Sequence, residues 1–149
     1  MNTLAKTLAA AALIAVSTFT MAAGKPVGDN SKKAVVNLST ADLAIDHYVA
    51  VMTEGQSAGV EQLFTSDFKQ KVQASTDKTN SRSEVISFLK KQKGEQLNCK
   101  TSTTIVQKSV DYMIAKVILE FENFTKTDLV TLVNEGGNWK VAQSINSYK

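Results

Sequence analysis

The chain has 149 residues, with 17 basic and 14 acidic side chains, one histidine and one cysteine. A balance this even, with Lys and Arg scattered along the chain, excludes a dedicated nucleic-acid binder. The lone Cys99 excludes an intrachain disulfide and a thiolate metal site, and with His47 the only histidine no zinc cluster, other metal centre or cofactor is expected.

The first 23 residues have the layout of a secretory signal. Met1 to Lys6 is a short positive start, Leu8 to Val16 is apolar, and small residues lead to Thr20-Met21-Ala22-Ala23. The apolar run is too short for a comfortable membrane span. Cleavage after Ala22 or Ala23 is expected, with an uncleaved anchor helix as the rival reading. No cysteine follows the run, so lipid attachment at the usual place is not available. These features predict a periplasmic or secreted protein with no membrane span after signal removal. Residues 24–149 then suffice for one domain.

Residues 24–37 are polar, hold the only proline and show no periodicity, the pattern of a flexible leader. The domain is expected over 38–149. Ser39 with Asp42 resembles a capping box, and Ala41, Ala44, Ile45, Tyr48, Val51 and Met52 recur at the spacing of one helical face. Gly55 stops that helix. Ser57 to Phe64 predicts a short second helix with Val60, Leu63 and Phe64 inward, and Phe68 is a further apolar anchor. The polar stretch 69–80 predicts an irregular surface segment after a brief helical turn. Ser81-Arg82-Ser83-Glu84 is a cleaner capping box, opening a third helix with Val85, Phe88 and Leu89 buried and Gly94 at its end. The cations of Lys90-Lys91-Gln92-Lys93 suit the end of that helix.

After Gly94 the period changes from 3.6 to 2. Leu97 to Gln107 predicts a first strand, with Cys99 buried in it. Tyr112 to Glu122 predicts a second, with Met113, Ala115, Val117, Leu119 and Phe121 on one face. Thr127 to Asn134 is the third. Glu135-Gly136-Gly137-Asn138 is a hairpin turn, since glycines supply the positive φ angles it needs. Trp139 to Tyr148 is the fourth, with Trp139, Val141 and Ile145 sharing a face. Apolar residues also occupy the opposite faces, Ile114 and Ile118 on the second strand with Val130 and Leu132 on the third. A sheet covered on one side only should be polar on the other, so this pattern predicts that the second face is covered too, another subunit being one such cover.

The helix ending HYVAVMTEG, the segment ending LFTSDF, the capped third helix and the closing TDLVTLVNEGGNWKVAQSI resemble the nuclear transport factor 2-like superfamily. Within it they look most like the bacterial lumazine-binding-like proteins, over roughly residues 39 to 148. The resemblance implies an α+β cone: three N-terminal helices packed in the concave face of a bent, mostly antiparallel four-stranded sheet, enclosing a pocket. It implies a homodimer through the sheet, in agreement with the two-faced apolar pattern. It also gives Tyr48 the position of the tyrosine that ketosteroid isomerases use to donate a hydrogen bond to an oxyanion. Their carboxylate base falls on Val72, which cannot take a proton; Asp67 and Asp77 lie five residues away on either side.

Asp128 has two readings. Pointing inward it would face Tyr48; pointing outward it is an exposed acid near a strand start. The second is preferred, because acids are seldom buried unpaired. Asp46 cannot orient the adjacent His47, since neighbouring helical residues diverge, so His47 reads as a boundary histidine. Trp139 reads as the core plug of a hairpin rather than a stacking platform. The resulting expectation is an exported, non-catalytic domain with no catalytic residues. Its apolar pocket would bind a small planar or lipid-like molecule through Tyr48, Met52, Phe64, Phe68, Phe88 and an inward Asp128, or the sheet would bind a partner. The alternatives are an isomerase or dehydratase using Tyr48 with Asp128 or Asp77, and a structural dimer with a filled cavity.

Overall fold

The computed structural model describes residues 35–73 and 78–149, all within the unit Lys32–Lys149. The expected export signal (1–23), most of the leader and Asp77 lie outside the described residues. In chain order the elements are α1 (Ala41–Thr53), α2 (Val60–Leu63), β1 (Phe64–Gln73), β2 (Lys78–Ser81), α3 (Arg82–Lys91), β3 (Lys100–Lys108), β4 (Tyr112–Glu120), β5 (Thr125–Glu135) and β6 (Asn138–Tyr148). The strands form one sheet in the order β2-β1-β6-β5-β4-β3. Every pairing is antiparallel except β1 with β6.

The expectation of three helices over four strands is thus corrected, among the described residues, to two full helices, a single helical turn and six strands. The missing strands are the polar segment expected to be irregular. Its residues pair from Lys69↔Ser81 to Val72↔Lys78, and β1 is held on its other side by β6. Backbone ladder bonds to two neighbours stabilise β1 whatever its side chains are, and the exposed β2 carries no apolar alternation to read.

Thr40, not Ser39, caps α1: its hydroxyl accepts from the Leu43 N–H at 3.2 Å. The helix buries Ala41, Ala44, Ile45, Tyr48 and Val51 against the sheet. It stops at Gly55, whose φ is +62°. There the chain is tied to the segment after α3, the Gly94 N–H donating to Gly55 O and the Leu97 N–H to Thr53 O. The second capping box forms as expected, with the Ser81 N–H donating to Glu84 Oε2 at 2.7 Å and the Glu84 N–H to Ser81 Oγ. α3 buries Val85, Ile86 and Leu89, however, and Phe88 is 58% exposed. Ile86 takes the inward place assigned to Phe88, turning the buried stripe by about one residue.

The concave face carries Met113, Ala115, Val117 and Leu119 from β4 and Val130 and Leu132 from β5, with Trp139 and Val141 from β6. Phe121 packs beside them. Val130 and Leu132 are therefore inside rather than on the outer face; Leu129 and Val133 point outward instead. The run LVTLV is apolar in both parities, so its period could not decide. Along β6 the pairing shifts between Thr131↔Gln143 and Leu132↔Val141. Ala142 is the extra residue of a bulge, and a bulge reverses the faces beyond it. Ser144 and Asn146 are buried while Ile145 goes to the other face, reversing the expectation for Ile145. Cys99 lies before β3 rather than in a strand and is half-buried against the core edge. β3 itself is exposed along its whole length.

Candidate functional site

The ladder places the site's side chains in rows. Lys126 pairs with Tyr148, Asp128 with Asn146 and Val130 with Ser144 across β5 and β6. Val72 and Gln70 on β1 continue the rows of Asn146 and Ser144, and Lys78 and Asn80 on β2 extend them. Alternation puts all of these on one face. A cavity of about 660 Å³ lies between this face and α3. Its apolar side is formed by Met52, Val72, Val85, Phe88 and Leu89, its polar side by Gln70, Asn80, Lys126, Asn146 and Tyr148. Asn80 donates to Gln70 Oε1 at 2.9 Å, fixing that pair across the β1–β2 hairpin.

Tyr48 and Asp128 lie beyond the Lys126–Asn146 wall. The Tyr48 hydroxyl donates to Asp128 Oδ2 at 3.1 Å, and the Lys126 ammonium donates to the same oxygen at 2.8 Å. Asp128 is completely buried and Tyr48 is 1% exposed. Asp128 thus points inward, against the preferred reading of the sequence. The principle that acids are not buried unpaired still holds, because Lys126, two residues along the same face, supplies the charge. Burial holds the Tyr48 hydroxyl well above the ordinary phenol range; the Asp128 charge and the hydrogen bond to it act in the same direction. Tyr148 is raised too, by burial and then by the Asp128 charge. Both phenols therefore stay protonated. Asp128 Oδ1, Ser144 Oγ and Asn146 Oδ1 are buried without a hydrogen-bond partner, on adjacent rungs of the same ladder.

Among the residues singled out from the sequence, Tyr48 and Asp128 meet, and Met52 and Phe88 line the cavity. Phe64 and Phe68 do not line it: they are core residues with ring centroids 4.5 Å apart, and Tyr48 meets Phe64 edge-on at 6.4 Å. Val72 does face the cavity, so the place where an isomerase base would stand holds an aliphatic group. His47 is buried beside Ala58, its Nε2 without a partner, and burial lowers its pKa. Trp139 is a buried core residue. Among the described residues no three His, Cys, Asp or Glu side chains are grouped to hold a metal, and no helix is long and apolar enough to cross a membrane. The sequence reading missed Lys126, Asn146, Tyr148 and Gln70. Lys126 is legible once Asp128 is placed inward; Asn146 and Tyr148 were hidden by the bulge and Gln70 by the unrecognised strand.

Comparison with known proteins bears on the whole domain. The profile of a family described as "Putative lumazine-binding" matches residues 37–146. No curated protein matches the chain in sequence. Solved structures of similar fold include a nuclear transport factor 2-like protein of unknown function from Silicibacter pomeroyi, with TM-score 0.60, 17% identity and 72% of this chain and 90% of that one covered. A nuclear transport factor 2-like protein from Cytophaga hutchinsonii has TM-score 0.56 and 18% identity, with 71% and 95% covered. A ketosteroid isomerase-like protein from Erwinia carotovora atroseptica has TM-score 0.56 and 15% identity, with 80% and 97% covered. At these identities the likeness is one of fold.

Proposed function

The chain belongs to the family described as "Putative lumazine-binding" and has the bent-sheet α+β fold of nuclear transport factor 2-like proteins; on that premise we propose that it binds a small molecule without transforming it. The cavity of about 660 Å³ carries this reading. Its size falls in the range of sites that enclose most of a small ligand, and it combines an apolar wall with a few convergent polar groups. We further propose that the protein acts after export, as a dimer.

The site's hydrogen bonds argue against proton-transfer chemistry. Tyr48 has one proton to donate and gives it to Asp128. Asp128 is fully buried behind Lys126, whereas a general base must come within about 3 Å of the proton it removes. Val72 offers no acceptor. An isomerase or dehydratase would need Asp128 released from both partners, and would lose turnover in the Tyr48→Phe variant.

Native mass spectrometry of the exported protein tests the binding reading. The expected result is a species heavier than the bare chain that loses its extra mass on denaturation. Val72→Trp, which fills the cavity from β1, is expected to abolish that species and leave the circular dichroism unchanged. A chain that never carries a small molecule, and shows no thermal shift with lumazine or with the aromatic probes below, would sink the reading.

A further inference from the structure

Building on the pocket reading, the hydrogen-bond accounting of its lining indicates what charge the ligand carries. On the polar side most acceptors are either bonded within the protein or enclosed. Gln70 Oε1 takes the Asn80 amide. Asp128 Oδ2 takes Tyr48 and Lys126, and Asp128 Oδ1 is buried. Glu84, the one carboxylate lining the cavity among the described residues, has Oε2 taken by the Ser81 N–H and hydroxyl. Asn146 Oδ1 is enclosed; among the described lining side chains Asn80 Oδ1, the second oxygen of Glu84 and the hydroxyls of Ser83, Ser87 and Tyr148, which can also donate, remain as acceptors.

The donors are in surplus. An ammonium has three N–H groups and Lys126 gives one to Asp128. Gln70 keeps its NH₂, and Tyr148 stays protonated and can donate. The charges point the same way. Among the described residues Lys78, Lys91 and Lys126 line the cavity against Glu84; with Lys126 set against Asp128, two of these cations face that one carboxylate. A ligand amine would sit among ammonium groups. A purely apolar ligand would strip water from the side-chain donors of Lys126 and leave them unpaired, which costs binding energy.

We infer that the pocket takes an amphiphilic anion, its carboxylate-type head at the Lys126–Tyr148 corner and its apolar body along Met52, Val72 and Phe88. Charge-assisted hydrogen bonds from Lys126 make the head group the anchor, and the exposed Phe88 ring closes over the body.

The test uses the full chain and three probes that share one body: 2-naphthoate, 2-naphthamide and 2-naphthylmethylamine, titrated calorimetrically at low and raised salt. The expected order is naphthoate about tenfold or more tighter than naphthamide, a gap of about 1.4 kcal/mol, with the amine weakest and the gap narrowing as salt screens it. Lys126→Met is expected to erase the preference. Because that change also strands Asp128 and can unfold the chain, Lys78→Met serves as a second variant on an exposed side chain; it should weaken naphthoate and leave naphthamide unchanged. Equal binding of naphthoate and naphthamide, or a preference that survives both substitutions, overturns the anionic ligand while leaving the pocket reading intact. If none of the three binds, the anionic ligand is overturned, and the pocket reading falls with it when the chain also carries no small molecule in native mass spectrometry and shows no thermal shift with lumazine.

Discussion

Removing the Tyr48 hydroxyl leaves Asp128 Oδ2 with Lys126 as its remaining partner, whereas removing the Asp128 carboxylate leaves an ammonium and a phenol facing each other in a closed space. The second loss is the larger. Tyr48→Phe deletes one hydrogen bond to a charged group, worth about 1.5–3 kcal/mol, and keeps the ion pair. Asp128→Ala breaks a pair whose acid is fully buried, a change that typically costs about 3–5 kcal/mol. Urea unfolding of both variants should show that order; equal destabilisation would mean that Lys126 reaches solvent when its partner is gone. His47 gives a pH-dependent prediction. Its folded pKa lies below the ordinary value of about 6.5. As pH falls, the unfolded chain takes up the proton first, so stability present above about 6.5 is lost as pH drops toward the folded value. Denaturation midpoints between neutral and mildly acidic pH should fall for the wild type and change less for His47→Gln. Tyr48 could be placed from helical spacing alone. Asp128 could not, because what decides its direction is the nearby Lys126, and a side-chain pairing leaves no periodic trace.

Elements were legible where side chains carry the period and obscure where the backbone alone makes the structure. α1, α3 and the β5–β6 turn follow from apolar spacing, a capping box and two glycines, and all three formed. The β1–β2 hairpin is polar because β2 is an exposed edge, so the ladder that holds it left no alternation to read. The bulge at Ala142 inserts one residue, and everything after it, Ser144 and Asn146 included, falls on the face opposite to the expected one. Two of the five residues of the pocket's polar side, Asn146 and Tyr148, therefore depend on a backbone irregularity. Glycine positions offer a test at this scale. At Gly55 an added Cβ would lie 2.5 Å from Glu95 N and 2.6 Å from Gly94 N, with φ at +62°; at Gly137, with φ at +85°, it would meet nothing within 4 Å. A left-handed residue with a side chain costs about 1–2 kcal/mol, and Gly137→Ala should cost about that. Gly55→Ala must also push apart the backbone contact that joins the end of α1 to the segment after α3, so it should cost clearly more in urea unfolding. Equal values would show that the contact yields without penalty.

At the scale of the molecule the outer face of the sheet remains to be accounted for. Ile114, Ile118, Leu129, Val133 and Ile145 all point away from the helices, on three adjacent strands, and Leu129 is 38% exposed. Without a cover this is a contiguous aliphatic patch of the kind that marks an association surface. The charges among these strands on the same side are few: Lys116 and Glu120 on β4, Glu135 at the end of β5 and Lys140 on β6, the last two paired with each other. A twofold axis through the patch would set aliphatic side chains against their own copies, and the same axis can bring Lys116 of one copy near Glu120 of the other. This supports the proposed dimer, and it keeps the pocket separate from the interface, since the cavity opens on the concave side. The expected result is a dimer by size exclusion with light scattering, with a melting temperature that rises with protein concentration, as linked association requires. Ile118→Lys places a charge in the middle of the patch without touching the concave core. It should yield a monomer whose melting temperature no longer depends on concentration and whose affinity for the naphthalene probes is unchanged. A wild-type monomer, or a dimer that survives Ile118→Lys, would leave the aliphatic face without a partner in this chain and move the search to a second protein. Loss of probe binding in a well-folded monomer would show instead that the second copy completes the pocket.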